Sequence, residues 1–257
     1  MNSRRPLAQV LVSILLVLSL AACGRSTSEG GQVTLYYEEN AQFELISPQG
    51  TRVLIDVFNP LALSSPVTDK DILLTTHGHN DHFKADFADS FPGQQLRMQE
   101  GEINLSDVSI RGIASSHSPA REIKPGLGNY IFIVDMGGLR IAHFGDIGQE
   151  QLTQEQLDAL GEVDIAVTQL VNSYSQMSLR NKKGFKLMAQ AQPKLIIPTH
   201  GNSDMEAIEY AMELWEVVAS DTISVTVSLS DLADGTKMLV MGSMAPSVQK
   251  IYDLPKW

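Results

Sequence analysis

The sequence predicts a single mixed α/β domain. Strand-like apolar runs dominate the start of the chain, and further strands alternate with amphipathic helical patterns after them. A block of three histidines and an aspartate follows one buried run. Val33 to Tyr37, Phe43 to Ser47 and Arg52 to Val57 read as strands, with Gln49-Gly50 as the turn between the last two. Ile72 to Thr75 is a short buried strand. Phe83, Phe87 and Phe91 then recur at helical spacing, and Pro92-Gly93 closes that helix. Strands follow at Val108 to Ala114, Tyr130 to Asp135, Arg140 to His143, Ile165 to Gln169 and Leu195 to Ile197. Thr153 with Gln156, and Ser203 with Glu206, have the spacing of capping boxes that open helices. In the second of these, Met205, Ile208, Met212, Trp215 and Ala219 share one face, which reads as core. Ile223 to Val227 and Met238 to Met241 are the closing strands.

The chemistry is concentrated in His77-Gly78-His79-Asn80-Asp81-His82. This block holds three of the chain's six histidines. Imidazole nitrogen and carboxylate oxygen are the ligands that zinc prefers, and carboxylate also suits manganese or iron. In an extended loop, residues two apart point the same way, so His77 and His79 can grip one ion. Asp81 and His82 follow where the loop turns toward a helix and can address a second ion. The remaining histidines lie beyond apolar runs, with His117 in SSHS, His143 and Asp146 in HFGD, and His200 in PTHGN. The ends of strands are where α/β sheets present functional side chains.

These motifs together resemble the metallo-β-lactamase superfamily. The resemblance implies an αββα sandwich, in which two facing sheets carry helices outside and the metal site lies at one end. It implies that His77, His79 and His117 hold one ion, that Asp81, His82 and His200 hold a second, and that Asp146 bridges both. Asp56 in VLIDVF resembles the family's upstream aspartate, which braces the metal loop without being a ligand. Two divalent ions, zinc first with manganese or iron as alternatives, outweigh the two carboxylates. The resemblance implies that such a pair would supply a hydroxide to attack an electrophilic carbonyl or phosphorus. Asp81, Asp146 and His143 are the candidate catalytic residues. For His143 three roles stay open: substrate contact, proton donation to a leaving group, or packing below Asp146. Redox di-iron members of the superfamily carry a glutamate where His79 stands.

Within the superfamily, GNYIFIVDMGGLRIAHFGDIG, GEVDIAV and PKLIIPTHG resemble the lactonase-like branch typified by L-ascorbate-6-phosphate lactonase. The likeness spans Val33 to Met241. It breaks at TQLVNSYSQMSLRNKKGF, where that branch has a glycine-rich segment.

The first 22 residues read as a leader. Arg4 and Arg5 form a positive start, Leu7 to Leu20 an apolar run, and Leu20-Ala21-Ala22-Cys23 looks like a bacterial lipobox. The expectation is a signal peptide over 1–22, a lipidated Cys23 with a flexible tether to residue 32, and one hydrolase domain over 33–257. Such a protein is exported and membrane-anchored, facing the periplasm or the cell exterior. Cys23 is the only cysteine, which rules out an intramolecular disulfide and a cysteine ligand. No G-x-S-x-G motif signals a serine nucleophile.

Removing Arg4 and Arg5 from the 19 basic residues leaves 17 against 30 acids, a net charge of −13. So acidic a surface repels nucleic-acid phosphates. Yet Ile165 to Ser203 contains no acid and carries Arg180, Lys182, Lys183, Lys186 and Lys194. This segment, with Arg121 and Lys124 after His117, is expected to attract an anionic substrate, to meet anionic lipid headgroups, or to be simply a solvated helix start. The functional expectation is a metal-dependent hydrolase of a small, anionic ester, lactone or phosphoester. The alternatives are a phosphodiesterase or phospholipase-like enzyme acting on lipid, and a non-catalytic metal-binding or sensing protein on the same fold.

Overall fold

The computed structural model describes residues 30–37, 39–118, 128–200, 205–232, 234–243 and 245–257. The leader, Cys23, Arg121, Lys124 and Ser203 lie outside the described residues. No helix among the described residues is long and apolar enough to cross a membrane.

The chain begins with three antiparallel strands, β1 (Val33–Tyr37), β2 (Phe43–Ile46) and β3 (Arg52–Ile55), then adds the parallel strand β4 (Ile72–Thr75). A short helix α1 (Ala85–Ser90) leads to β5 (Gln94–Arg97). The second sheet opens with β6 (Gly101–Asn104), β7 (Val108–Ser115), β8 (Asn129–Met136) and β9 (Leu139–His143), all antiparallel. Gly137 and Gly138, both at positive φ, form the two-residue turn between β8 and β9. Strands then alternate with helices: α2 (Gln154–Leu160), β10 (Ile165–Gln169), α3 (Lys183–Ala191), β11 (Leu195–Thr199) and α4 (Met205–Leu214). The chain ends with β12 (Glu216–Ala219), β13 (Ser224–Val227), β14 (Lys237–Val240) and α5 (Ala245–Tyr252). The two sheets run β13-β1-β2-β3-β4-β5 and β12-β14-β11-β10-β9-β8-β7-β6.

Side-chain alternation along the strands creates the layers. Phe43, Leu45, Ile55 and Leu74 of the first sheet meet Ile110, Phe132, Ile141 and Val167 of the second in the central core. The opposite face of the second sheet, with Ile131, Phe144, Ala166 and Ile196, is covered by Leu160, Phe185, Met188, Ile208 and Val248 from the helices. Leu54 and Leu73 on the outer face of the first sheet pack under Ala88 and Phe91. The expected αββα sandwich is therefore the observed architecture.

Two sequence expectations are corrected, and two strands were not foreseen. The helical stripe from Met205 does not run to Ala219: α4 stops at Leu214, and Val217 and Val218 pair with Met238 and Leu239 in a strand. A β-branched pair beside an open sheet edge favours extended backbone, and Met212 is left 42% exposed. The phenylalanine stripe spans more than the helix that carries it. Phe83 precedes α1 and takes the Arg97 guanidinium on its ring face, while Phe87 and Phe91 pack edge to face. The polar strands β5 and β6, each with one buried residue, carried no readable signal because sheet edges tolerate polar sequence.

Candidate metal centre

Strand direction brings the site together. β7 and β9 both run antiparallel to β8, while β10 and β11 run parallel to β9, so all four end at one rim. His117 lies just beyond β7, Asp146 beyond β9 and His200 beyond β11. β3 and β4 run together in the other sheet and release Asp56 and the His77 loop at the same end. The rims are stitched across the sandwich by Tyr130 N donating to Thr76 O (3.1 Å) and His200 N donating to Asn40 O (3.2 Å).

The seven side chains expected from the sequence converge in two groups, His77, His79, His117 and Asp146, and Asp81, His82 and His200. Asp146 stands between them. Its Oδ2 faces His117 Nε2 at 3.4 Å and His77 Nε2 at 4.0 Å, while its Oδ1 faces His200 Nε2 at 3.1 Å and His82 Nε2 at 3.3 Å. His77 Nε2 and His79 Nδ1 are 3.1 Å apart, His82 Nε2 and His200 Nε2 3.0 Å, and His200 Nε2 and Asp81 Oδ2 3.7 Å. Ligands held at ~2.1 Å around one tetrahedral ion would be about 3.4 Å apart, close to these separations.

The donors fit a cation. His117 Nε2 and Asp146 Oδ1 are buried without an aligned hydrogen bond. Unpaired buried polar atoms are costly, and a bound ion would satisfy them. Burial, reinforced by the charge on His82, pushes His77 down to about 3 and keeps its lone pair free. Burial would also depress His82, but Asp56 and Asp146 outweigh it and raise that imidazole to about 10. For Asp146, burial is overcome by contacts from His117, His200 and His82, which hold the carboxyl far below the usual range.

Asp56 touches the histidine loop at both ends. Fully buried, it accepts Thr76 N (2.7 Å), Thr76 Oγ1 (2.6 Å) and His82 Nδ1 (2.7 Å). Its φ of 52°, like that of His200, lies in the left-handed region, a strain of order 1 kcal/mol that the surrounding contacts must hold. Sequence reading missed Asn129. This buried amide donates to Ser115 Oγ and Phe144 O and accepts from Asp146 N, pinning the strand end that delivers the carboxylate. Gly145 lies against it at φ 54°, where a Cβ would fall 2.2 Å from Asn129 Oδ1. The GNY pattern gave no hint of this, because the partner lies 17 residues away.

Two candidate roles are corrected. His143 is buried, its Nε2 donates to Ala41 O (3.0 Å) and its Nδ1 accepts from Gly145 N (3.2 Å), so neither nitrogen is free for a leaving group. It clasps the two rims together and is not catalytic. Lys183 is no substrate residue either. It is 1% exposed and donates to Gly148 O (2.8 Å) and Ser175 O (3.3 Å), with Glu150 3.4 Å away. Gly148 itself presses so close to His117 O that no side chain fits there. Of the other cations, Arg180, Lys182 and Lys186 are exposed. Lys182 sits over the Tyr210 ring at 4.0 Å, and Lys194 pairs with Asp164 at 2.9 Å.

Facing sheets with a histidine–aspartate cluster at the strand ends define the metallo-β-lactamase fold. A family profile described as Beta-lactamase superfamily domain matches residues 34–200, which contain all seven clustered side chains, and the chain belongs to that superfamily. The chain is similar to a UPF0173 metal-dependent hydrolase of Methanosphaera stadtmanae, 27% identical over 231 residues, covering 75% of this chain and 94% of that protein. A UPF0173 metal-dependent hydrolase of Thermoplasma acidophilum is 25% identical over 193 residues, covering 66% and 83% respectively. Among solved structures, a Thermotoga maritima protein of the metallo-β-lactamase superfamily shares the fold. Its TM-score is 0.59 at 20% identity, over 82% of this chain and 98% of that one.

Proposed function

We propose that the protein is a dinuclear metallohydrolase that cleaves a small anionic ester, lactone or phosphoester. The observation that carries this reading is the division of Asp146, with one carboxylate oxygen facing His77 and His117 and the other facing His82 and His200. His77, His79 and His117 would hold one ion and Asp81, His82 and His200 the other, with Asp146 shared. When bound, such ions acidify water toward neutral pH and polarise a carbonyl or phosphoryl oxygen. Asp56 fixes the His82 ring by its Nδ1, so that Nε2 points into the site. Asn172 donates its amide to Asp146 Oδ2 (3.3 Å) and Gln169 Oε1 (2.6 Å), which keeps the carboxylate from turning. Asp81 is the half-exposed member and marks the open side of the cluster. Segment likeness to the lactonase-like branch supports lactones within this range, and the lipobox sequence supports a membrane-tethered enzyme outside the cytoplasm.

The test is elemental analysis of protein purified without chelator, with a hydrolysis screen over lactones, thioesters and phosphodiesters. Two equivalents of Zn, Mn or Fe per chain are expected, with turnover that chelator abolishes. A reproducible single equivalent at full activity overturns the shared-carboxylate reading. Metal-loaded protein inert toward every class overturns hydrolysis itself.

A further inference from the structure

The segment that departs from the lactonase-like pattern forms a small, tightly held hairpin beside Asp146. Asn172 and Met177 pair through Asn172 N to Met177 O (3.2 Å) and Met177 N to Asn172 O (2.8 Å), and Gln176 N donates to Ser173 O (3.1 Å). The hairpin is clamped from below. Asn172 reaches the Asp146 carboxylate, Ser175 Oγ donates to Asp146 O (3.3 Å), and Lys183 Nζ donates to Ser175 O (3.3 Å). Asn181 Nδ2 ties Gln176 O from the side at 2.7 Å, and Met177 is anchored in the core. At the tip of this braced turn the Tyr174 side chain is left bare, with the residue 87% exposed. Its backbone N donates to Asn172 Oδ1 (2.9 Å), so one amide group links Tyr174 to the Asp146 carboxylate.

A tyrosine offers a large amphipathic face with little rotamer entropy to lose, which suits a recognition platform. On a rigid turn that touches the reacting centre, the ring can cover part of a bound molecule without the cost of ordering a loop. We infer that Tyr174 is a specificity-determining residue whose ring stacks on a flat aromatic ring in the non-reacting part of the substrate. The preferred substrates are then aryl-bearing esters, lactones or phosphoesters. This rests on the hydrolase reading above.

The test uses two metal-directed probes, benzohydroxamate and acetohydroxamate, which share a head group and differ in the ring. Calorimetry on the zinc-loaded protein should show benzohydroxamate binding more tightly. Tyr174→Ala should weaken benzohydroxamate by ~5–20-fold and leave acetohydroxamate within ~2-fold, while Tyr174→Phe keeps the aryl preference. Because the ring is exposed, the variants should keep the wild-type melting temperature and zinc content, which are measured alongside. Equal weakening of both probes, no weakening of either, or no aryl preference in the zinc-loaded wild type overturns the inference alone. A wild-type chain that holds no zinc, manganese or iron brings down the hydrolase reading and this inference with it.

Discussion

Asp56 Oδ2 and His82 Nδ1 lie 2.7 Å apart, and both side chains are sealed from solvent. With two further bonds from Thr76, Asp56 fixes both the start of the histidine loop and the ring at its end. Asp56→Ala should therefore cost ~10–100-fold in metal affinity, as measured by competition with a chromophoric chelator. Asp56→Asn, which can retain one acceptor oxygen, should lose less. Wild-type affinity in the alanine variant would show that His82 needs no brace.

The histidine block was legible because its ligands sit within six consecutive residues on one short loop, where spacing alone dictates direction. Asp146 and His200 were legible because each follows an apolar strand, and strand ends at one rim converge. Asn129 was not, since its importance arises from a partner fixed only by the β8–β9 pairing. Lys183 was misread because sequence gives charge but not burial, and its neighbours Lys182 and Lys186 do face solvent. Val217 and Val218 fall within the span of a helix-like stripe that runs to Ala219, and only the waiting edge of β14 turned them into a strand.

Asn129→Ala should strand two buried polar partners, Asp146 N and Phe144 O, while Ser115 Oγ keeps its bond to the backbone carbonyl of residue 129. Each unsatisfied group costs ~1–3 kcal/mol before relaxation, so a drop in melting temperature of about 5–10 °C is expected, with weaker metal binding. Gly145→Ala meets a steric clash as well as a left-handed φ and should be worse. Calorimetric scans of the two variants check this, and an unshifted Asn129→Ala melt would remove the asparagine from the site's framework.

Cys23→Ser tests the anchor. A single acyl chain binds membranes only marginally, so stable attachment requires the multiple acylation a lipoprotein cysteine receives. The variant should leave the membrane fraction or accumulate with its leader uncleaved. If it fractionates like wild type, and intact wild-type protein shows no lipid by mass spectrometry, the lipobox reading is wrong.

The basic segment divides into exposed cations and one, Lys183, that is sealed from solvent. Arg180 and Lys182 are exposed, so replacing both by Ala should raise KM for a negatively charged substrate and leave a neutral analogue unchanged. That effect should shrink as salt rises, because exposed charges are screened beyond roughly 8 Å at physiological ionic strength. Lys183→Met should behave differently. It leaves Gly148 O and Ser175 O without their donor and loosens both the loop behind His117 and the hairpin beside Asp146. A stability loss of ~1–3 kcal/mol is expected, with kcat/KM falling alike for charged and neutral substrates and little dependence on salt. Steady-state kinetics at two ionic strengths separate the two patterns. A Lys183→Met enzyme with a normal melting temperature and a selective, salt-sensitive loss for anions would return that lysine to the substrate.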